Sequence, residues 1–402
     1  MRSITMLLAA VVVFSVSACR PAVKPQLPLA QAPKEISAIG WQEYWSMPLA
    51  LMSGERVTSM HHLDDTLYCI TNRGNLIAMD PTIGVVRWRL AIGSRGEMPY
   101  RPVHATKVML SEKVPGVLDI MRNRQATDVY DVVITNTRRK VFVINRNSGQ
   151  VLREIALEFS ANSACATDGT LVFLASADAS YRGLSMQTTE QAWAMWSVQS
   201  VVAPPVFKNS TLYVGGQDGV LRAVAIQGHG ANIVWNRDLG APITHEFAVS
   251  DSGVFVAGGD NRLHAFTPQS ERPLWAYPYV TEGVITSGVQ LTESSVMVRS
   301  AFGGLSAVSI ADGQERWRLA DGLSVVAAGE GLVYVHGENH TLMVVDEATG
   351  EVQNVVKPGQ LQLLMGNTTD LAIWGADGKG VVHCLRPVAS GTISKQMLET
   401  AR

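Results

Sequence analysis

Charge is scarce in this 402-residue chain: Lys, Arg, Asp and Glu together make up 17% of it, and the formal net charge is −2. A nucleic-acid-binding surface neutralises phosphates with a basic face, and this balance does not supply one. Cysteine is equally sparse, with four residues and no CxxC or Cys/His metal spacing. There is no phosphate-cradling Gly loop and no Ser-His-Asp set. No segment carries a sustained helical period with caps, so helices are not expected to build the core. The one long apolar run, Met6 to Val16, is too short to span a bilayer as a mature helix.

Apolar residues, by contrast, reach 47%, Gly numbers 35 and Trp 9. Short strands joined by Gly-containing turns use residues this way. Aligning the chain on the apolar residue after each small turn gives Leu76, Val141, Tyr181, Leu221, Leu263, Leu305, Leu342 and Val381, spaced 65, 40, 40, 42, 42, 37 and 39. A period near 40 with strand signals alone predicts four-stranded propeller blades, here eight of them, in an all-β fold. In one unit a strand precedes Ser250–Gly253, then "VFVAG", "RLHAF" and "LWAYPY" follow, separated by turns. Trp88, Trp193, Trp275 and Trp317 each lie 12 residues after their alignment residue, and Trp235 lies 14 after. At a fixed offset on outer strands, these side chains are expected to pack between neighbouring blades. Unit eight lacks such a strand after Val381, while "WQEYWSMPLA" near the start looks like one, with Trp45 one period before Trp88. An N-terminal strand is therefore expected to complete the last blade and remove the open sheet edge.

The expected division is a signal peptide over 1–18, a lipidated Cys19 and Pro/Ala/Gln-rich tether over 19–39, a propeller over 40–388 and a tail over 389–402. The ending Val16-Ser17-Ala18-Cys19 resembles a bacterial lipobox, in which the Cys is diacylated and becomes the N-terminus. Acyl chains contribute about 0.8 kcal/mol per buried CH₂, and several on one Cys anchor stably. Arg20 rather than Asp follows, which in enterobacterial-type sorting permits export to the outer membrane.

Units such as "NLIAMDPTIGVVRW" and "TLMVVDEATGEVQNV" resemble the PQQ-type propeller repeat, in which a small-apolar-Asp strand end leads to a Thr-Gly turn and a Trp strand. Eight such units behind a lipobox resemble the lipoprotein propeller subunits of the outer-membrane β-barrel assembly machinery. That resemblance implies no catalysis and no cofactor, a lipid anchor facing the periplasm, and a scaffold role for an envelope protein complex, possibly through the central barrel subunit. A lipid-anchored binding propeller with another envelope client or a polymer is the alternative. Quinoprotein dehydrogenases share the repeat, but they hold a quinone and Ca²⁺ under a disulfide between adjacent cysteines, and no two cysteines here are adjacent.

Other candidates are local. His61-His62 with Asp64-Asp65 looks like a metal cluster, but neighbours on a strand face opposite ways, and "LDDTL" aligns with hairpin turns. No metal site is expected there. His245-Glu246 falls at the start of an innermost strand and is a channel candidate. Cys69 and Cys384 lie in apolar strand patterns, expected as buried thiols, with a bridge between them as the alternative. The segment 92–129 holds about 25 extra residues between blade-one and blade-two strands, a length usually functional or disordered. Its Val117, Leu118, Ile120 and Met121, beside Arg122 and Arg124, are the candidate partner-binding face. Shortening 105–127 to a Gly-Ser turn is expected to spare stability.

Overall fold

A computed structural model describes residues 36–94, 96–111, 127–228 and 230–391. Eight antiparallel four-stranded sheets follow one another around a ring, an eight-bladed β-propeller. Blade one runs from Val57–Leu63 through Thr66–Thr71 and Asn75–Met79 to Val86–Ala91, each strand paired with the next. Blades two to seven repeat this order. The first strand of each blade is innermost: those of blades two, three, four and five touch in succession. The middle strands are largely buried, Thr66–Thr71 along its whole length, because sheets stacked face to face leave little of either side to water. The apolar core consequently forms eight clusters, one at each junction between consecutive blades.

The tryptophans sit at these junctions. In the turn after a blade's third strand, the Asp80 carboxylate accepts backbone N–H bonds from Thr82 and Ile83 at 2.9 and 3.2 Å, and Gly84 closes the turn at φ +76°. Asn145 and Asp346 do the same ahead of Gly149 and Gly350. The previous blade's tryptophan lies on that glycine. A Cβ on Gly149 would come within 2.7 Å of the Trp88 ring, so the position needs glycine for close approach as well as for its left-handed backbone. The indole N–H then donates to a carbonyl of the turn: Trp45 to Pro81 at 3.0 Å, Trp88 to Arg146 at 2.8 Å, Trp235 to Pro268 at 3.1 Å, Trp275 to Ile310 at 2.9 Å, Trp317 to Glu347 at 2.8 Å. Trp193 differs. Blade four joins its third and fourth strands by a tight hairpin in which Gln227 pairs Gly230, so no such turn faces the indole. Its N–H is buried without an acceptor among the described residues.

The ring closes on the N-terminal strand. Trp41–Pro48 pairs antiparallel with Val381–Pro387, the last strand of blade eight. Trp45 reaches forward onto blade one, while Trp41 is fully buried and donates to the Tyr334 hydroxyl of blade seven at 3.0 Å. One strand therefore ties both chain ends to three blades.

Several local expectations change. The outer strand expected at "LWAYPY" is reduced to Tyr279–Val280, and Trp275 precedes it in a non-strand stretch. Pro273 and Pro278 cannot donate to a ladder there. The extra length expected between blades one and two lies instead within blade two: Val103–Ser111 and Thr127–Asn136 pair as a long hairpin that outruns the third strand, Lys140–Asn145. Ala105, Val108 and Leu110 are buried in the cluster shared with blade three, so a cut beginning at 105 would remove core. Ile36–Ile39, the end of the expected tether, forms a 3₁₀ turn whose two isoleucines pack on the blade seven–eight cluster. Cys69, Cys165 and Cys384 are buried free thiols, each pushed up to about 12 by burial. Burial keeps them protonated and unreactive.

Candidate functional site at the channel mouth

Innermost strands ring the centre, and most of their residues are uncharged, as in Ala166–Thr167, Ala248–Val249 and Gln290–Leu291. Against that lining, Glu246 of blade five accepts from Arg101 of blade two. Blades three and four separate these two on one side and four blades do on the other. The side chains meet only by crossing the channel. Arg101 stands on a rigid mount: Pro102 keeps it extended, and the neighbouring Tyr100 N–H donates to the Asn136 carbonyl at 2.8 Å. Glu246 lies in a stretch without ladder pairing ahead of Ala248–Val249, its carbonyl accepting from the Val289 N–H at 3.2 Å. The adjacent His245 bonds the Thr244 hydroxyl at 3.1 Å, and burial holds its imidazole below the ordinary range. His61, on the inner strand of blade one, is pushed down to about 4 by burial and secondarily by the Arg101 cation. Both histidines are therefore neutral near pH 7.

The His61-His62 pair is split as strand alternation requires. His61 lies on the side of Arg101 in blade two, and His62 stacks on Trp374 of blade eight with ring centroids 4.6 Å apart. Asp64 and Asp65 form the hairpin turn before Thr66–Thr71. They anchor a network instead: Asp64 pairs His104 at 2.8 Å, His104 bonds the Tyr68 hydroxyl at 2.8 Å, and Arg146 reaches Asp65 at 3.2 Å. Tyr68 is fully buried and the His104 side chain nearly so, while Asp64 lies at the surface, and this Asp–His–Tyr chain clamps blades one and two together. Among the described residues no three His, Cys, Asp or Glu side chains are grouped to hold a metal ion.

A quinone with Ca²⁺, the pair held at the centre of quinoprotein propellers, does not fit these residues. Calcium takes six to eight oxygen ligands. The carboxylate of the channel ion pair, Glu246, is already neutralised by a cation.

Cys19 and the six candidates Val117, Leu118, Ile120, Met121, Arg122 and Arg124 lie outside the described residues. Arg101 was missed by sequence reasoning. A lone arginine between two prolines carries no signal until the ring brings blade five opposite it. His104 and Trp374 were missed for the same reason, since their partners belong to neighbouring blades.

Sheet order, turn chemistry and tryptophan clasp together define an eight-bladed β-propeller. The particular likeness is to BamB: the family model described as outer membrane protein assembly factor BamB matches residues 190–319, 217–355 and 280–384. Those segments run from the outer strand of blade three to the last strand of blade eight. Among solved structures, BamB from Moraxella catarrhalis superposes with a TM-score of 0.61 at 16% identity, covering 86% of this chain and 97% of that one. The computationally designed Ika8 protein superposes with a TM-score of 0.60 at 15% identity, covering 86% and 99%. At these identities the structural likeness shows the fold. No curated protein sequence matches the chain.

Proposed function

We propose that this protein is a non-catalytic scaffold of the bacterial cell envelope, held by lipid on Cys19 at the outer membrane and facing the periplasm, and serving the assembly of β-barrel proteins there. The observation that carries the reading is the sequence match of residues 190–384 to the BamB family model. Two features support it. The titratable groups at the channel are committed to each other or held neutral. The one long departure from the repeat is a hairpin extending beyond blade two, the kind of excursion that carries function on a rigid frame. Its apolar residues beside arginines, Val117 to Arg124, have a common interface composition.

Affinity capture of the tagged full-length chain from envelopes in mild detergent tests the reading. The barrel-inserting subunit of the assembly machinery is expected to co-purify. Replacing 112–126 with a Gly-Ser turn leaves the buried strand residues in place and is expected to reduce that recovery at unchanged melting temperature. Capture of a different envelope complex in place of the barrel subunit would refute the assembly role. Full recovery with the shortened chain would place the interface on other blades.

A further inference from the structure

We propose that the channel mouth is a carboxylate-recognition site built on Arg101, and that Glu246 occupies it from across the ring as an internal stand-in for an acidic side chain of a bound peptide. The proposal deepens the scaffold reading by naming a ligand class.

The two halves of the ion pair are unequal. The backbone under Arg101 is restricted by Pro102 and by the Tyr100–Asn136 bond beside it, and its long side chain carries the guanidinium to Glu246. Glu246 is presented from an unpaired stretch, and only its backbone carbonyl is tied, by Val289. Rotation of its side chain alone frees Arg101 without moving a blade. Both side chains are more than a third exposed, at 37% and 39%, so a solute reaches them.

The surroundings make Arg101 selective. His61 and His245 are held neutral, so they add no competing cation, and the nearby wall residues are small or uncharged. A planar guanidinium in such a place binds carboxylate with geometric preference. Glu246 supplies that carboxylate at rest, which keeps the cation satisfied. A peptide carboxylate that enters takes its place, and the freed Glu246 turns to solvent.

The purified full-length protein and a fluorescein-labelled hexaglutamate peptide test this at low ionic strength, with hexalysine as the control. Glu246→Gln removes the stand-in and keeps the shape. It should bind hexaglutamate about tenfold more tightly than the wild type, the factor expected for one charge-assisted hydrogen bond. Adding Arg101→Gln to that variant should abolish the gain, and the exchanged pair R101E/E246R should turn the preference to hexalysine. Thermal melts of each variant establish that it is folded, and the first two decide the matter if the exchanged pair is not. Equal affinity of Glu246→Gln and wild type, or a gain that survives Arg101→Gln, overturns the proposal. Because the probe is a defined peptide, these outcomes are independent of whether an envelope partner is recovered.

Discussion

Substituting the clasp tryptophans by phenylalanine separates two contributions that are fused in the wild type. Trp88→Phe removes on the order of 40 Å² of buried ring, about 1 kcal/mol. It also removes the 2.8 Å bond to the Arg146 carbonyl, a further ~1 kcal/mol net. The expected loss is about 2 kcal/mol. Trp193→Phe loses the same ring area, but its N–H has no acceptor among the described residues. A buried unsatisfied donor costs about 1–3 kcal/mol, and phenylalanine relieves it. The substitution should therefore range from neutral to stabilising by about 2 kcal/mol. Guanidinium unfolding of the two variants, compared at a common slope, reads the difference as a shift in midpoint. If Trp193→Phe destabilises as much as Trp88→Phe, the indole N–H contributes nothing to the clasp and shape alone holds the blades.

Removing the chain through residue 49, including 41–49, strips the partner from Val381–Pro387 together with two buried tryptophans, each typically worth about 3–5 kcal/mol, so a chain beginning at Ala50 should melt far below the full domain; an unchanged melt would refute closure by this strand. Labelled fatty acid should enter the wild type and not Cys19→Ala, and equal labelling of both would sink the anchor. His61 titrates near 4 in the fold against an ordinary value of 6.5, so its contribution is complete above pH 6.5 and is lost as pH falls toward 4. The gap corresponds to at most about 3 kcal/mol, and His61→Asn should flatten that part of the acid unfolding curve; an identical acid slope in the variant would show that other groups govern it.

What could be read from the sequence follows from the distances involved. Blade number and strand count rest on contacts within one period, and the repeat states them eight times; the closing role of 41–48 pairs opposite ends of the chain and was legible because unit eight lacks an outer strand of its own. The clasp was readable in part: the offset of Trp88 from Leu76 marks the outer strand, while its acceptor at Arg146 belongs to the next blade. Trp275 kept the offset although its strand did not form, because Pro273 and Pro278 interrupt the ladder without displacing the ring from Gly313. The placement of the extra length failed for a related reason. Val108, Leu110, Val129 and Tyr130 read as an irregular excursion in one dimension, yet they are paired partners in a hairpin whose two arms are separated by 15 undescribed residues.

The likeness to a designed propeller at nearly the same TM-score as to BamB bears on where function resides. A ring that can be specified without a biological task is explained by its clasps, turns and closing strand. Those features account for stability and leave partner choice open. The positions that the repeat does not require are then the informative ones. Arg101 and Glu246 occupy an inner surface otherwise rich in small uncharged residues, and each would leave the other unpaired if lost. The blade-two hairpin lengthens two strands beyond what the sheet needs. One departure faces the channel and the other extends past the blade. They share one stretch of chain in blade two: Arg101 precedes the inner strand Val103–Ser111, and the extension runs from Val108 onward, past a register shift after Ala105. A partner gripping the hairpin and a peptide entering the channel would act on one stretch of chain.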